Sequence, residues 1–473
     1  FKKLGAATEA AMILSPETGA TAIKSLPPDS GAIERFWILN KMRMNMFLPA
    51  SDPVLPWTAL LVGLWIPNFY YWGLNQYITQ RTLGSASLAQ GQRGIVFAAF
   101  LKLLIPFVIV IPGIIAFNLY SHNMRLEAVS DTARSLARYV KANPETRFVE
   151  VVKSPTDDQI ASWQPGRYML AVYPDAGTLA AVKTRNPFVL PLTQSGFDEL
   201  SPRPFTLFKT DDKSWGHVNG QFAAEVEAYN QKTERAAKTA GATPAVEKLI
   251  AFKYDTALGQ LLGHVLPQGV GIVGFVLAAL LGAVVSSLAA MLNAASTIFA
   301  MDVFKKHLAP QAEQSAVVRV GRISVVVFAI VAVLVAPQLG DPKISNSIFT
   351  IIQAGQGFIS PGVLAVFVFG LVVRRGPPIC GVVGLVTNLI AYGAMMVFVP
   401  KVQFLNRMAI CFALCLVVMA VITLLKPLPE PVRFQQKTSI ALESSGTART
   451  AGMVVVAFTL LLYFIFSPAC LVR

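Results

Sequence analysis

The 473-residue sequence predicts an all-α polytopic membrane protein carrying a small α/β insertion outside the bilayer. Three observations lead there. Only 14% of residues are charged and 54% are apolar, against roughly 25% charged in an average soluble domain. The apolar residues gather in runs close to the ~20 residues that cross a bilayer core. Between the second and third runs lies a long polar stretch with its own strand and helix patterns. This composition argues against an ordinary cytosolic enzyme. The net charge of +14 does not form a basic stripe with interleaved aromatics, so nucleic acid is not expected as a partner. The bilayer is.

Eight runs read as spans: Leu55 to Ile78, Ile95 to Phe117, Val270 to Phe299, Ile323 to Ala336, Ile348 to Val373, Ile379 to Val399, Phe404 to Leu425 and Met453 to Phe466. The fourth and eighth are short and could begin earlier. Lys and Arg are retained in short cytoplasmic loops. Twelve of them follow the odd-numbered spans, from Arg81 and Arg93 to Arg449, whereas the opposite loops and tail hold four: Lys343, Lys401, Arg407 and Arg473. The first set is therefore expected in the cytoplasm of a cell inner or plasma membrane. Residues 1–54 then form an external N-terminal segment, 55–119 the first two spans, 120–268 an external insertion and 269–473 the other six spans. The chain starts with Phe1 and shows no signal peptide, so an upstream part is expected.

Within the insertion, Arg167 to Val172, Phe188 to Leu192 and Phe205 to Lys209 read as strands, and Phe222 to Thr239 as an exposed helix. The four histidines of the chain, His122, His217, His264 and His307, are scattered and suggest no metal cluster. The cysteines, Cys380, Cys411, Cys415 and Cys470, stand in or beside apolar runs and read as buried small hydrophobes. Gly269-Val270-Gly271-Ile272-Val273-Gly274 spells a dinucleotide fingerprint, but no strand precedes it and it opens a span. Small residues there read better as a helix-packing surface.

Polar groups inside the spans carry more information, because ionisable side chains at membrane depth are costly and usually face a cavity or a partner. Lys102 is such a group, and an inward role as a donor to solute or in a structural pair is favoured over snorkelling. In the first span Pro67 removes a backbone donor, which frees carbonyls near Gly63 and Leu64 for a ligand or ion, and Asn68, Tyr71 and Asn75 share one face. A proline kink satisfied by a neighbouring helix, with Tyr71 and Trp72 as an interfacial belt, is the competing account, and spacing leaves both open. In the third span Ala283, Ser286 and Ser287 lie on one face, where the serines offer oxygen to a hard cation such as sodium or bond back to their own helix. Spacing by itself favours the second. The fifth span contains Gln353-Ala354-Gly355-Gln356-Gly357 and then Ser360-Pro361-Gly362, a second interrupted segment. Paired interrupted spans are what midplane binding sites of transporters are made from.

The strings Gly63-Leu64-Trp65-Ile66-Pro67-Asn68-Phe69-Tyr70-Tyr71-Trp72-Gly73 and Asn75-Gln76-Tyr77-Ile78-Thr79-Gln80-Arg81-Thr82-Leu83 closely resemble the sodium/solute symporter family, on its bacterial sodium-glucose cotransporter side. Ser286-Ser287-Leu288, Asn293 to Asp302 and Ile359 to Phe367 agree in the right order. The resemblance covers most of Leu55 to Val399 apart from the insertion. It implies the second half of a leucine-transporter-type inverted-repeat fold with extra C-terminal helices, and sodium-driven symport by alternating access. It further implies Asn68, Tyr71, Lys102 and Gln353 as solute ligands, with Tyr71 stacking under a sugar, and a sodium ion at the Ala283 carbonyl and the Ser286 and Ser287 hydroxyls. Ala289 and Ala290 follow the serine pair where some members have hydroxyls, which implies one sodium per cycle. A first repeat has no counterpart before Leu55, and the insertion is longer than the family pattern. Two alternatives stand beside sugar symport: another solute, such as an amino acid, polyol, vitamin or anion, or a membrane receptor using the external domain. No enzymatic activity is expected.

Overall fold

The computed structural model describes residues 1–13, 21–50, 52, 55–163, 167–186, 189–201, 204–210, 212–339, 348–400, 402–433 and 443–470. The N-terminal part comprises α1 (Lys2–Ala6), the antiparallel pair β1 (Glu9–Ile13) and β2 (Thr21–Ser25), and α2 (Ala32–Asn40). Arg35 of α2 is buried because carbonyls surround it: Nη1 donates to Gly5 (2.7 Å) and Ala7 (2.8 Å), and Nη2 to Pro27 (2.9 Å). A cation thus satisfies the last carbonyls of α1.

The first apolar run folds as three helices, α3 (Trp57–Val62), α4 (Trp65–Gly73) and α5 (Gln76–Leu83). The cause is local. Pro67 has no N–H to offer the Gly63 carbonyl, and Ile66 N bonds it instead at 3.1 Å, tightening the chain between α3 and α4. Next, α6 (Leu88–Ile105) begins where Ser87 Oγ accepts from Gln90 N at 3.3 Å. Through a π-helical turn, Pro106–Val110, it passes into α7 (Ile111–Ala142).

α7 runs from the apolar band into the insertion, with a departure from helical geometry at Tyr120 (φ −127°, ψ 20°). There it meets β3 (Val149–Lys153), α8 (Asp157–Ala161), β4 (Tyr168–Tyr173), α9 (Ala176–Arg185), β5 (Leu190–Thr193), α10 (Gln194–Asp198), β6 (Thr206–Thr210), α11 (Asp212–Thr239) and β7 (Ala245–Leu249). The order β3-β4-β5 makes one parallel sheet and β6-β7 another. All six residues of the central strand β4 are buried, as in parallel strands covered on both faces. Tyr139, Phe148, Tyr168, Phe208 and Phe222 form its aromatic core, into which Ala11 and Ala116 also pack. The expected strands coincide with β4, β5 and β6 to within two residues, although 187–188 lie outside the described residues; β3 and β7 are additional.

The remaining elements are α12 (Ala257–Val265), α13 (Ile272–Ile298) with a π-helical extension Phe299–Leu308, α14 (Gln314–Leu339), α15 (Ile348–Gln356), α16 (Ser360–Val372), α17 (Ile379–Phe398), α18 (Phe404–Leu425) and α19 (Gly446–Ile465). Among the described residues, six helices are long and apolar enough to cross a membrane: Leu88–Ala128, Ile272–Leu308, Gln314–Pro337, Ile379–Phe398, Phe404–Leu425 and Gly446–Ile465. The two expected spans absent from this set are the two interrupted ones, divided into α3, α4 and α5 and into α15 and α16. The fourth and eighth do begin earlier, at Gln314 and Gly446.

Two expectations are corrected. Gly269 and Gly271 have φ of +78° and +79°, the left-handed turn into α13, and a Cβ at either position or at Gly274 would meet nothing within 4 Å. Gly269 and Gly271 serve backbone conformation, and at none of the three does a described neighbour approach closely enough to require glycine. Cys380, Cys411 and Cys415 are buried, but Cys470 is exposed.

Candidate solute and cation site

At the first break the carbonyls expected to be free are engaged. Gly63 accepts from Ile66 N, and Leu64 accepts from the side-chain amide of Asn68 at 2.8 Å. Gly63, which has no donor from Pro67, keeps one lone pair for a further partner, whereas Leu64, as the N-cap of α4, also takes the first bond of that helix. Asn68 is exposed on α4 and its carbonyl oxygen faces no other claim from this bond, so an amide acceptor remains beside the break.

One turn further along, Tyr71 and Trp72 of α4 and Tyr77 of α5 gather with Lys102 of α6. The Lys102 ammonium lies 4.6 Å from the Trp72 ring centre and 5.6 Å from that of Tyr71. The Tyr71 ring packs edge-on against Tyr77 with centroids 5.9 Å apart, and their hydroxyls are hydrogen-bonded. The ring faces thus hold the cation by their negative quadrupoles. Among the described residues neither ion pair involves Lys102.

Gln353 is half-buried on α15, the half-helix that ends at Gln356. The second break, Gly357 to Ile359, is clamped from α17. Asn388 Nδ2 donates to the carbonyls of Phe358 (2.7 Å) and Gly357 (3.3 Å), and Tyr392 Oη donates to that of Ala354 (2.9 Å), next to Gln353. The Tyr392 ring packs edge-on against Phe358 at 4.9 Å, and the Arg407 guanidinium stands 5.3 Å from its centre. A Cβ on Gly357 would strike that ring, so only glycine fits there. Pro361 in the first turn of α16 needs no donor.

The two breaks share one apolar cluster. Leu64 at the first and Phe358 at the second pack around Ala59, Tyr392, Leu405, Met408 and Cys411. α4 also lies against α16 and α3 against α18. Two sequence-distant interruptions are therefore held at one level of the bundle.

Ala283, Ser286 and Ser287 follow one another on α13 and are exposed. This helix packs against α14 and α5, which leaves the serine face uncovered by the described residues. The back-bonding account does hold lower in the helix, where Ser296 (3.0 Å) and Thr297 (2.7 Å) both donate to the Asn293 carbonyl. Among the described residues no group of three or more His, Cys, Asp or Glu could hold a metal. A cation at the serines would be met by neutral oxygens alone, a donor set that suits a hard monovalent ion and not a transition metal.

Sequence reasoning passed over Trp72, Asn388 and Tyr392. The last two were visible as polar groups at i and i+4 within an apolar span. Trp72 read as an interfacial ring.

Residues 235–385 match the family model described as SSF: Sodium:solute symporter family, a segment that contains Ser286, Ser287 and Gln353. The chain is 29% identical over 381 residues to the sodium/glucose cotransporter of Vibrio parahaemolyticus, covering 80% of this chain and 48% of that protein. It is 24% identical over 422 residues to the uncharacterized symporter YidK of Escherichia coli (strain K12), covering 89% and 51%. It is also 24% identical over 336 residues to the human sodium/myo-inositol cotransporter 2, covering 70% and 33%. The chain thus spans about half the length, or less, of the curated relatives it matches. With six membrane-length helices and two broken ones among the described residues, and with these matches, the chain is a multi-pass plasma-membrane protein whose residues 235–385 match the sodium:solute symporter family.

Proposed function

We propose that this chain carries solute and sodium half-sites of a sodium-coupled symporter that imports a small polar solute, a sugar first, by alternating access. The observation that carries the reading is the sharing of one apolar cluster by two broken helices, with Lys102, Tyr71 and Trp72 gathered on the α4 side. Aromatic faces suit the apolar face of a sugar ring, while Asn68, Gln353 and the Lys102 ammonium offer hydrogen bonds to its hydroxyls. Sodium at the Ala283 carbonyl and the Ser286 and Ser287 hydroxyls would favour the outward-open arrangement, and its loss to the cytoplasm would release the solute. A polyol is the second reading, supported by the likeness to the myo-inositol cotransporter. Both solutes are neutral and rich in hydroxyls.

The test is uptake of radiolabelled galactose, glucose and myo-inositol by the protein in proteoliposomes, with potassium replacing sodium as control. Uptake that requires a sodium gradient is expected. Equal uptake in sodium and potassium would overturn the coupling, and competition between galactose and inositol ranks the two solute classes.

A further inference from the structure

α6 and α19 pack side by side and leave a groove of about 490 Å³ between them. Phe97 and Phe100 of α6 and Ala451, Val454 and Val455 of α19 line it, and Arg93 stands at one end. Gly452 of α19 faces Val96 of α6, whose methyl would lie at an ordinary contact distance of 3.6 Å from a Cβ there, and Ala451 lines the groove with a short side chain. Seven residues separate Arg93 from Phe100, which is about 10 Å along a helix.

The charged end is a built one. Arg93 Nε donates to Ser445 Oγ at 3.2 Å, and that oxygen also accepts from Ala448 N, capping α19. Ser445 is buried and its own N–H donates to Gln92 Oε1 at 2.8 Å. The guanidinium is thus oriented through Nε, and neither ion pair among the described residues involves it. The charge asymmetry of the loops puts this end of α6 in the cytoplasmic headgroup layer, with the apolar floor running towards the bilayer centre. A planar fork of donors fits a phosphate.

We propose that this groove binds an anionic glycerophospholipid, with its phosphate on Arg93 and one acyl chain along Phe97, Phe100 and Val454. An apolar helix in the same place would fill the floor but leave the arginine without a counter-charge, so charge complementarity selects the lipid. The proposal does not depend on the transported solute. Native mass spectrometry of the protein, released from bilayers of equal phosphatidylglycerol and phosphatidylcholine, tests it. One phosphatidylglycerol per chain is expected to be retained in preference to phosphatidylcholine. Arg93→Gln should lower that retention about fivefold, in line with the usual effect of one basic residue near the membrane surface. Ala451→Phe, or the smaller Ala451→Leu where the first does not fold, should reduce retention with all charges kept. Arg374→Gln, a surface charge away from the groove, should leave it unchanged. Equal retention of both lipids by the unaltered protein, or undiminished phosphatidylglycerol on folded Arg93→Gln and Ala451→Leu, overturns the proposal.

Discussion

Lys102 rests against two ring faces at membrane depth, where an ammonium without partners would be costly. On the proposed reading it donates to the solute. Lys102→Ala is then expected to raise the solute KM at least tenfold while leaving the sodium concentration for half-maximal uptake nearly unchanged, since an unfilled hydrogen-bonding site discriminates strongly. Ser287→Ala should do the reverse, and an identical effect of both on sodium dependence would sink the assignment of separate half-sites. A different residue-scale prediction concerns the insertion. Tyr139 donates to Glu225 Oε1 at 2.7 Å, and burial, reinforced by Glu225, holds its hydroxyl above the ordinary value of 10.0. The folded state therefore keeps the proton longer than the unfolded one, and the stabilisation, full below pH 10, is lost as the pH rises beyond it. Tyr139→Phe should cost about 2 kcal/mol at neutral pH, as for a hydrogen bond to a charged group. Thermal melts should show the gap between the two proteins closing above pH 10. Spacing alone put Asn68 and Tyr71 on one helix face. It could not tell that the Asn68 amide turns back to the Leu64 carbonyl at the start of α4, because that is a choice of side-chain rotamer which spacing does not encode.

Both broken elements could be read in the chain, since Pro67 and the Gly357 to Gly362 segment are local signals. What holds the second break open could not, because Asn388 and Tyr392 reach it from another helix some thirty residues away. The clamp has a measurable weight. Asn388→Ala leaves one buried and one half-buried carbonyl without this donor and should lower stability by about 1–3 kcal/mol. Gly357→Ala drives a methyl into the Tyr392 ring and should cost a similar amount through overpacking. Both are checked by thermal shift in detergent, and a melting temperature within error of the parent for Asn388→Ala would remove the clamp from the account. Strands β3 and β7 were missed for a related reason. Each mixes charged and apolar residues without regular alternation over only five positions, Val149–Lys153 and Ala245–Leu249, and becomes a strand through parallel pairing with a partner distant in sequence. Tertiary pairing decides such short segments, and intrinsic propensity does not.

For the molecule as a whole, the membrane class follows from composition, but the joining of distant parts does not. α7 carries one backbone from the exposed π turn into the core of the insertion, and of the N-terminal pair β1 packs on that same helix and β2 on α11. Polar N-terminal sequence becomes part of the insertion core because Asn118 of α7 donates to the Ala11 carbonyl at 2.7 Å and accepts from Asn40 at 2.8 Å. No periodicity within either segment encodes those bonds. The exposed serine face of α13 and the clustered breaks lie on different helices, so a solute at one and a sodium ion at the other would communicate only through an equilibrium between arrangements of the bundle. Such coupling is reciprocal for binding free energies. If saturating sodium tightens the solute Kd by some factor, saturating solute must tighten the sodium Kd by the same factor, and a typical coupling of about 1–3 kcal/mol makes that 5- to 150-fold. Isothermal titration of solute with and without sodium, and of sodium with and without solute, measures both sides. Equal factors above fivefold are expected, and solute affinity indifferent to sodium would leave the two half-sites uncoupled and the symport reading without a driving force.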